Sequence, residues 1–227
     1  MGPAALTALR ALDGASVANA IETFDLRLRN EGFADSTIRC MTAGLPPAVG
    51  HAVTARIRCS SPPPVGHHYH DRTDWWNYIM SVPAPRFVVV QDIDERRGLG
   101  GFVGGVHAQI LRALGCEAYA TNGSVRDVAA VGDRVGLRLF ATGVAVSHAF
   151  SHIVDFGGPV EIGGLTIVSG DVLFGDESGV QNVPVALVDA LPAVVAEMKQ
   201  QEHAVTEFCR SGTFSINGLR GLVRSFK

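Results

Sequence analysis

Two short stretches carry the residue types needed to hold a small oxo-acid beside a cation. Gly104-Gly105-Val106-His107-Ala108-Gln109-Ile110-Leu111 sets a glycine-rich turn ahead of apolar residues at helical spacing, and Asn122-Gly123-Ser124-Val125-Arg126-Asp127 follows about twenty residues later. A helix start presents unbonded backbone N–H groups and the positive end of the helix dipole, so it attracts anions. Arg126 offers a planar fork that matches a carboxylate. Asp127 offers a hard oxygen ligand for a divalent cation. The dipeptide alone reads more readily as a surface ion pair in a turn; its flanking residues give it chemical interest.

The elements that must position these residues can be read from periodicity. Residues 4–30 read as helical, with Ser16 as N-cap for Val17, Ala20, Ile21 and Phe24. Gly44–Pro47 is a loop, His51–Cys59 alternates as a strand, and Thr73–Met80 reads as a helix. Arg86–Ile93 contains the continuous apolar run Phe87-Val88-Val89-Val90, expected of a strand covered on both faces. It enters a polar turn at Asp92–Arg97, then the glycines, then a helix ending at Gly115. Strands are expected at Glu117–Thr121 and Leu137–Val146. Short β segments follow at Val160–Ile162, Leu165–Val168, Val172–Phe174 and Val180–Val183, and a helix of about twenty residues from Val185 closes the chain. The pattern is an α/β domain with a mixed sheet and a β-rich second half.

Bulk properties narrow the function. The chain has 227 residues, 47% of them apolar, enough for a substantial core, and a formal net charge of −3 that gives no electrostatic case for nucleic-acid binding. Mean hydropathy is +0.21, but the apolar runs are short and no membrane span is expected. The N-terminus lacks the pattern of a signal peptide, and Cys40, Cys59, Cys116 and Cys209 show no CxxC spacing, so a cytoplasmic protein with reduced thiols is expected.

The run Gly104–Asp127 resembles the signature of the RraA-like family, in which a Gly-acidic-Leu-Leu-Ala helix start precedes Asp-Gly-x-x-Arg-Asp. Two further stretches are similar to family motifs, in order along the chain. Gly50-His-Ala-Val-Thr-Ala-Arg-Ile57 resembles a Gly-x-Ala-x-Thr strand. Val168-Ser-Gly-Asp-Val-Leu-Phe-Gly-Asp-Glu-Ser-Gly-Val-Gln-Asn-Val-Pro184 resembles a Pro-Gly-Asp…Gly-Asp…Asp-Gly-Val…Val-Pro run. The family holds the regulator of ribonuclease activity A and the 4-hydroxy-4-methyl-2-oxoglutarate / 4-carboxy-4-hydroxy-2-oxoadipate aldolases. The resemblance implies an α-β-β-α layered sandwich, a single domain over residues 1–227 with its core at about 15–205, and a homotrimer or homohexamer with residues 185–227 at a subunit interface.

It also implies a class II lyase that uses Mg²⁺ or Mn²⁺, cleaving a 4-hydroxy-2-oxo acid to release pyruvate or decarboxylating oxaloacetate. Carried over by position, Asp127 is the metal ligand and Arg126 grips the oxo-acid. Gly104 and Gly105 form the turn, and the amides of Val106 and His107 bind the carboxylate. Glu202, with Glu197 as the fallback, is the candidate carboxylate from a neighbouring subunit. Gly105 stands where characterised aldolases have an acidic residue, His107 replaces a Leu, and Asn122 replaces an Asp. His107 is therefore the candidate for proton transfer. The competing reading is a non-catalytic regulator that binds a partner protein such as a ribonuclease, although Arg220, Arg224 and Lys227 make the tail basic.

Other residues have simpler readings. Gly98-x-Gly100 precedes a helix, but the third glycine falls at 104 and no acidic residue ends the next strand, so the dinucleotide fingerprint fails. His67-His68-Tyr69-His70-Asp71 resembles a ligand cluster, yet adjacent histidines rarely converge on one ion. A substrate-lip or interface loop with Trp75 and Trp76 nearby is the preferred reading. His148 and His152 have helical i, i+4 spacing, but a pocket-rim or structural role is favoured. Asp171 and Asp176 read as turn carboxylates. Glu22 and Asp25 read as solvated or interface positions.

Overall fold

The computed structural model describes residues 2–63 and 72–226; the His67–His70 cluster lies outside the described residues. Helices α1 (Pro3–Arg10) and α2 (Gly14–Glu22) are followed by strands β1 (Arg39–Cys40) and β2 (Ala48–Arg58), then α3 (Arg72–Ser81) and β3 (Arg86–Asp92). Next come α4 (Gly105–Ala113), β4 (Cys116–Thr121), β5 (Ser124–Val125) and α5 (Val128–Ala130), which runs into a π-helical turn. Strands β6 (Arg138–Ala141), β7 (Gly143–Val144), β8 (His152–Phe156), β9 (Val160–Ile162), β10 (Leu165–Ile167), β11 (Val172–Asp176) and β12 (Gly179–Asn182) lead to α6 (Leu191–Arg210) and α7 (Ile216–Arg224).

Among the described residues, the main sheet has eight strands in the order β1-β6-β4-β3-β2-β11-β12, with β8 also pairing with β2. Strands β2, β3, β4 and β6 are mutually parallel. β11 runs antiparallel along the first half of β2 and β8 along its second half. A separate hairpin, β9–β10, forms a second small sheet.

Side-chain alternation explains the layering. On one face, Val88 and Val90 of β3, Tyr119 of β4 and Leu139 of β6 pack against Trp75 and Ile79 of α3 and Leu111 of α4. On the other, Phe87, Val89, Ala118 and Phe140 pack against the hairpin through Val160, Ile162 and Leu165. β3 is thus buried on both faces, as its unbroken apolar run predicts. A third cluster joins Val49, Val172 and Phe174 to α1, α2 and α6 through Leu9, Val17 and Leu191. The result is a mixed α/β fold with helices and the β9–β10 hairpin layered on the main sheet, while β5 and β7 pair as a further two-stranded sheet. Among the described residues, no helix is long and apolar enough to cross a membrane.

Several local expectations change. Residues 4–30 hold two helices rather than one, and the second is capped by Asp13, whose side chain accepts from the amide and hydroxyl of Ser16. Ser16 is therefore the donor and not the cap. The stretch Leu137–Val146 splits into β6 and β7. The closing helix begins at Leu191 and runs to Arg210, after a short 3₁₀ turn at Val185–Leu187. A further helix, α7, follows it, capped by the Ser215 side chain. β8 was not anticipated, because His152–Phe156 mixes apolar and charged residues along an edge strand.

Buried charge is handled by carbonyls as well as by carboxylates. Arg86 is 7% exposed and donates to the carbonyls of Val82, Leu114 and Met80, which lie at the C-terminal ends of α3 and α4. Helix C-termini carry partial negative charge, so this guanidinium fixes both helices to the start of β3. Leu139 occupies the centre of the α3/α4 face and is fully buried. Leu139→Ala should destabilise the fold by about 2–5 kcal/mol, read as a lowered urea midpoint with an unchanged slope.

Candidate functional site

The carboxyl ends of β2, β3, β4 and β6 lie along one edge of the sheet, and the chain leaving each of them contributes to one cleft. This is the edge at which α/β sheets bind ligands, because loops diverge there and leave a crevice. Main-chain bonds join the loops. The Arg126 amide donates to the Val103 carbonyl at 2.9 Å, the Gly101 amide to Ser147 at 3.0 Å and the Ala145 amide to Val125 at 2.9 Å.

The cleft has a volume of about 620 Å³, and Gly104, Gly105, Val106, His107, Arg126 and Asp127 all line it. The residues singled out for substrate and metal therefore share one cleft. Glu202 and Glu197 do not line it; both are exposed on α6. His148 and His152 do line it, but not as a helical pair. His148 lies in the loop after β7 and His152 opens β8, so the pocket-rim reading holds. The two tryptophans separate: Trp76 faces the cleft, whereas Trp75 is fully buried against Phe156 and Tyr78.

Close approach explains two of the glycines. A Cβ on Gly104 would stand 2.7 Å from Asp127 Oδ2, and one on Gly101 would stand 2.4 Å from Arg126 Cγ. Asp127 itself adopts a left-handed backbone, φ 54° and ψ 34°, an uncommon and mildly strained conformation for a non-glycine residue. That conformation turns its carboxylate to the start of α4, where Oδ2 accepts from the Gly105 amide at 2.9 Å. The first amide of the helix is thus matched by a protein carboxylate. Val106 and His107 complete the same first turn, and Ala108 is the residue whose amide returns to the Gly104 carbonyl, at 2.9 Å. Gly105 is different from Gly104: an added Cβ would meet only Asp127 Oδ2, at 3.7 Å. The missing acidic side chain there is a chemical difference and not a steric necessity.

A divalent cation fits these residues. Asp127 is exposed to the cleft, and among the described residues its Oδ1 accepts no hydrogen bond. One carboxylate oxygen with water and substrate oxygens is a normal Mg²⁺ environment. A second grouping, Cys59, Asp92 and Asp94, has ligand atoms within 4.8 Å of one another and is buried. Its carboxylates are already engaged. Asp94 accepts from the amides of Cys59 and Ser60 at 2.6 and 2.8 Å and from the Ser60 hydroxyl at 2.7 Å. Asp92 accepts from the amides of Asp94 and Gly98 at 3.1 and 2.9 Å. Burial pushes the Cys59 thiol up, away from the thiolate form that binds metal. These groups act as locks on the turn between β3 and the glycines.

Asn122 is part of the same lock. Its Oδ1 accepts from the Asp92 amide at 2.6 Å, and its Nδ2 donates to the Asp92 carbonyl at 3.1 Å. An aspartate at this position could only accept, so the change to asparagine adds a bond between the loops after β3 and β4. Sequence inspection missed Asp92, Asp94 and Asn122 as supports. The available signal was two acids directly after a strand buried on both faces.

Burial alone would raise the Asp94 carboxyl. The Ser60 hydroxyl, the Cys59 and Ser60 amides and the Arg58 guanidinium at 3.4 Å outweigh it and hold it below the usual carboxylate range. Its stabilisation is fully present above the unfolded value of about 4 and is lost as pH falls through the lower folded value. Asp94→Asn should therefore cost about 1–3 kcal/mol at neutral pH, with the gap to the parent protein narrowing in acid; thermal melts across a pH series will show this.

The comparisons agree with this fold. The structure is similar to an uncharacterized protein from Pseudomonas syringae pv. tomato, with 22% identity, TM-score 0.73, and coverage of 97% of this chain and 94% of that one. It is also similar to Streptomyces coelicolor RraAS2, described as an unusual member of the RNase ES inhibitor RraA protein family (19% identity, TM-score 0.68, 89% and 96% covered). A third similar structure is the RNA-processing inhibitor RraA from Thermus thermophilis (16% identity, TM-score 0.54, 73% and 92% covered). At these identities the likeness is one of fold. No curated protein matches the sequence. The profile of the RraA-like family, Aldolase/RraA, matches residues 15–181, a span that includes β2, β3, α4 and the Arg126-Asp127 pair, and the chain belongs to that family.

Proposed function

We propose that the protein is a divalent-metal-dependent carbon–carbon lyase acting on a 2-oxo acid, by retro-aldol cleavage of a 4-hydroxy-2-oxo acid to pyruvate or by decarboxylation of oxaloacetate. The observation that carries this reading is the meeting of a helix N-terminus, a guanidinium and a cleft-facing carboxylate in a single cleft. Arg126 and the first turn of α4 bind the substrate carboxylate and orient the 2-oxo group. Asp127 holds Mg²⁺ or Mn²⁺. Bound there, the cation supplies Lewis-acid polarisation of the 2-oxo oxygen. His107, whose Nδ1 lies 3.2 Å from the Phe102 carbonyl and whose ring meets Phe102 edge-on at 4.7 Å, is the residue assigned to proton transfer in this reading.

Assembly belongs to the same proposal. Val106, Val144 and Val146 are 79%, 62% and 97% exposed. Exposed apolar residues around the site suit coverage by a neighbouring copy, in a homotrimer or homohexamer to which Glu202 would contribute. One observation favours the regulator reading instead: Gly105 leaves the helix start without the acid found in characterised aldolases. An inhibitor would use the same apolar rim against a partner protein.

Coupled pyruvate release separates the two. With Mg²⁺ or Mn²⁺, oxaloacetate and 4-hydroxy-2-oxo acids should yield pyruvate, and chelator or Asp127→Ala should abolish it. Arg126→Gln should raise KM on the order of 10-fold to 100-fold through loss of a charged hydrogen bond. His107→Leu should lose turnover and retain metal affinity. Absence of pyruvate from every substrate would leave the regulator reading in possession.

A further inference from the structure

The residues that follow Glu207 differ in charge from everything before them. All 22 acidic residues of the chain lie at or before Glu207, and the twenty positions after it hold Arg210, Arg220, Arg224 and Lys227 with no acid. Helix α7 (Ile216–Arg224) stands in this stretch, beyond the residues 15–181 that match the family profile and away from the cleft lining. Its frame is already built. The Ser215 side chain caps its start, accepting from the Gly218 amide at 3.1 Å. Gly218 lies so close to α6 that an added Cβ would stand 2.5 Å from Phe208 Cζ, and the Phe208 and Phe214 rings pack at 5.8 Å.

The sides of α7 differ. Leu219 and Leu222 are half-buried, whereas Ile216 and Val223 are 57% and 45% exposed. At helical spacing, Ile216, Arg220, Val223 and Arg224 share one arc about 100° wide, so two aliphatic side chains and two guanidiniums face solvent together. Arg210 pairs with Glu207 at 3.6 Å, but among the described residues neither Arg220 nor Arg224 forms an ion pair. A nine-residue helix is about 14 Å long, and this arc of four side chains falls far short of the roughly 20–30 residues a side of a stable protein interface. A lipid surface makes no such demand. A short amphipathic helix lies in the headgroup plane with its apolar side chains below it, and each cationic side chain near anionic lipid strengthens binding about fivefold.

We propose that α7 docks the protein on the surface of an anionic bilayer, with Ile216 and Val223 inserted below the headgroups and Arg220 and Arg224 on the lipid phosphates. Charge selects this partner: a stretch with positive side chains and no acid is complementary to anionic headgroups. Phe214, exposed just before the helix, adds aromatic surface at the same end. The helix lies on the bilayer and is too short to cross it. Because this surface is separate from the cleft, its failure would leave the lyase reading untouched.

Co-sedimentation of the full chain with vesicles tests this. Vesicles of equal parts phosphatidylglycerol and phosphatidylcholine are compared with vesicles of phosphatidylcholine alone. The anionic vesicles should bind at least about tenfold more tightly, and that advantage should fall away in about 1 M salt. Arg220→Gln combined with Arg224→Gln should weaken adsorption on the order of 25-fold, and Ile216→Ser combined with Val223→Ser at least about tenfold. All four positions are exposed, so both double variants should melt with the parent protein. Absence of adsorption, equal affinity for the two vesicle types, or full adsorption by either double variant would overturn the inference. Two further results would also overturn it by naming another occupant. A lower solution mass of the serine double variant in light scattering would give this face to a second copy of the chain. Binding of poly-L-glutamate without vesicle adsorption would give it to an acidic protein segment.

Discussion

The contact between the glycine turn before α4 and the Arg126–Asp127 backbone organises the cleft. These segments leave neighbouring parallel strands and would separate if side chains intervened. Glycine at 101 and 104 lets them touch, the Arg126 amide reaches the Val103 carbonyl, and the Gly105 amide reaches the Asp127 carboxylate. The left-handed conformation of Asp127 belongs to this arrangement. A residue in a sparsely populated backbone region persists where its surroundings over-determine it, and here both loops do so.

Support for that contact comes from polar groups behind it. Asp92, Asp94 and Asn122 satisfy five main-chain amides and one carbonyl at distances between 2.6 and 3.1 Å, so the turn between β3 and α4 is fixed at both ends. Buried carboxylates are costly unless hydrogen-bonded. These ones are bonded, and the expense is recovered as rigidity at the place where a substrate would be oriented. The same accounting distinguishes Asp127. It is exposed, holds a single amide through Oδ2, and among the described residues accepts no hydrogen bond at Oδ1.

Much of the fold was legible because burial leaves a regular trace. The alternation in β2 and the unbroken run Phe87–Val90 follow from strands covered on one or both faces, and the helix before Gly115 follows from its apolar spacing. The edge strand β8 left no such trace, since only Ile153 of its five residues is buried. The break between α1 and α2 turned on a cap, where Asp13 and Ser16 are both plausible from their types and only hydrogen-bond direction decides. The role of Asn122 was equally hidden, because its two partners are atoms of the Asp92 backbone, thirty positions away.

The sequence by itself determined the parts of the site that are local: a helix start with its free amides, and an adjacent guanidinium and carboxylate on the next strand's exit. Those depend on neighbouring residues and on the periodicity of one element at a time. Only the tertiary structure decided that the Asp127 carboxylate sits on the Gly105 amide, that Trp76 faces the cleft while Trp75 is buried, and that His148 and His152 join His107 around the same space. The reason is physical. Parallel strands deliver their loops to one edge of a sheet from distant points in the chain, and which side chains then meet is fixed by strand order and register, which no short stretch encodes.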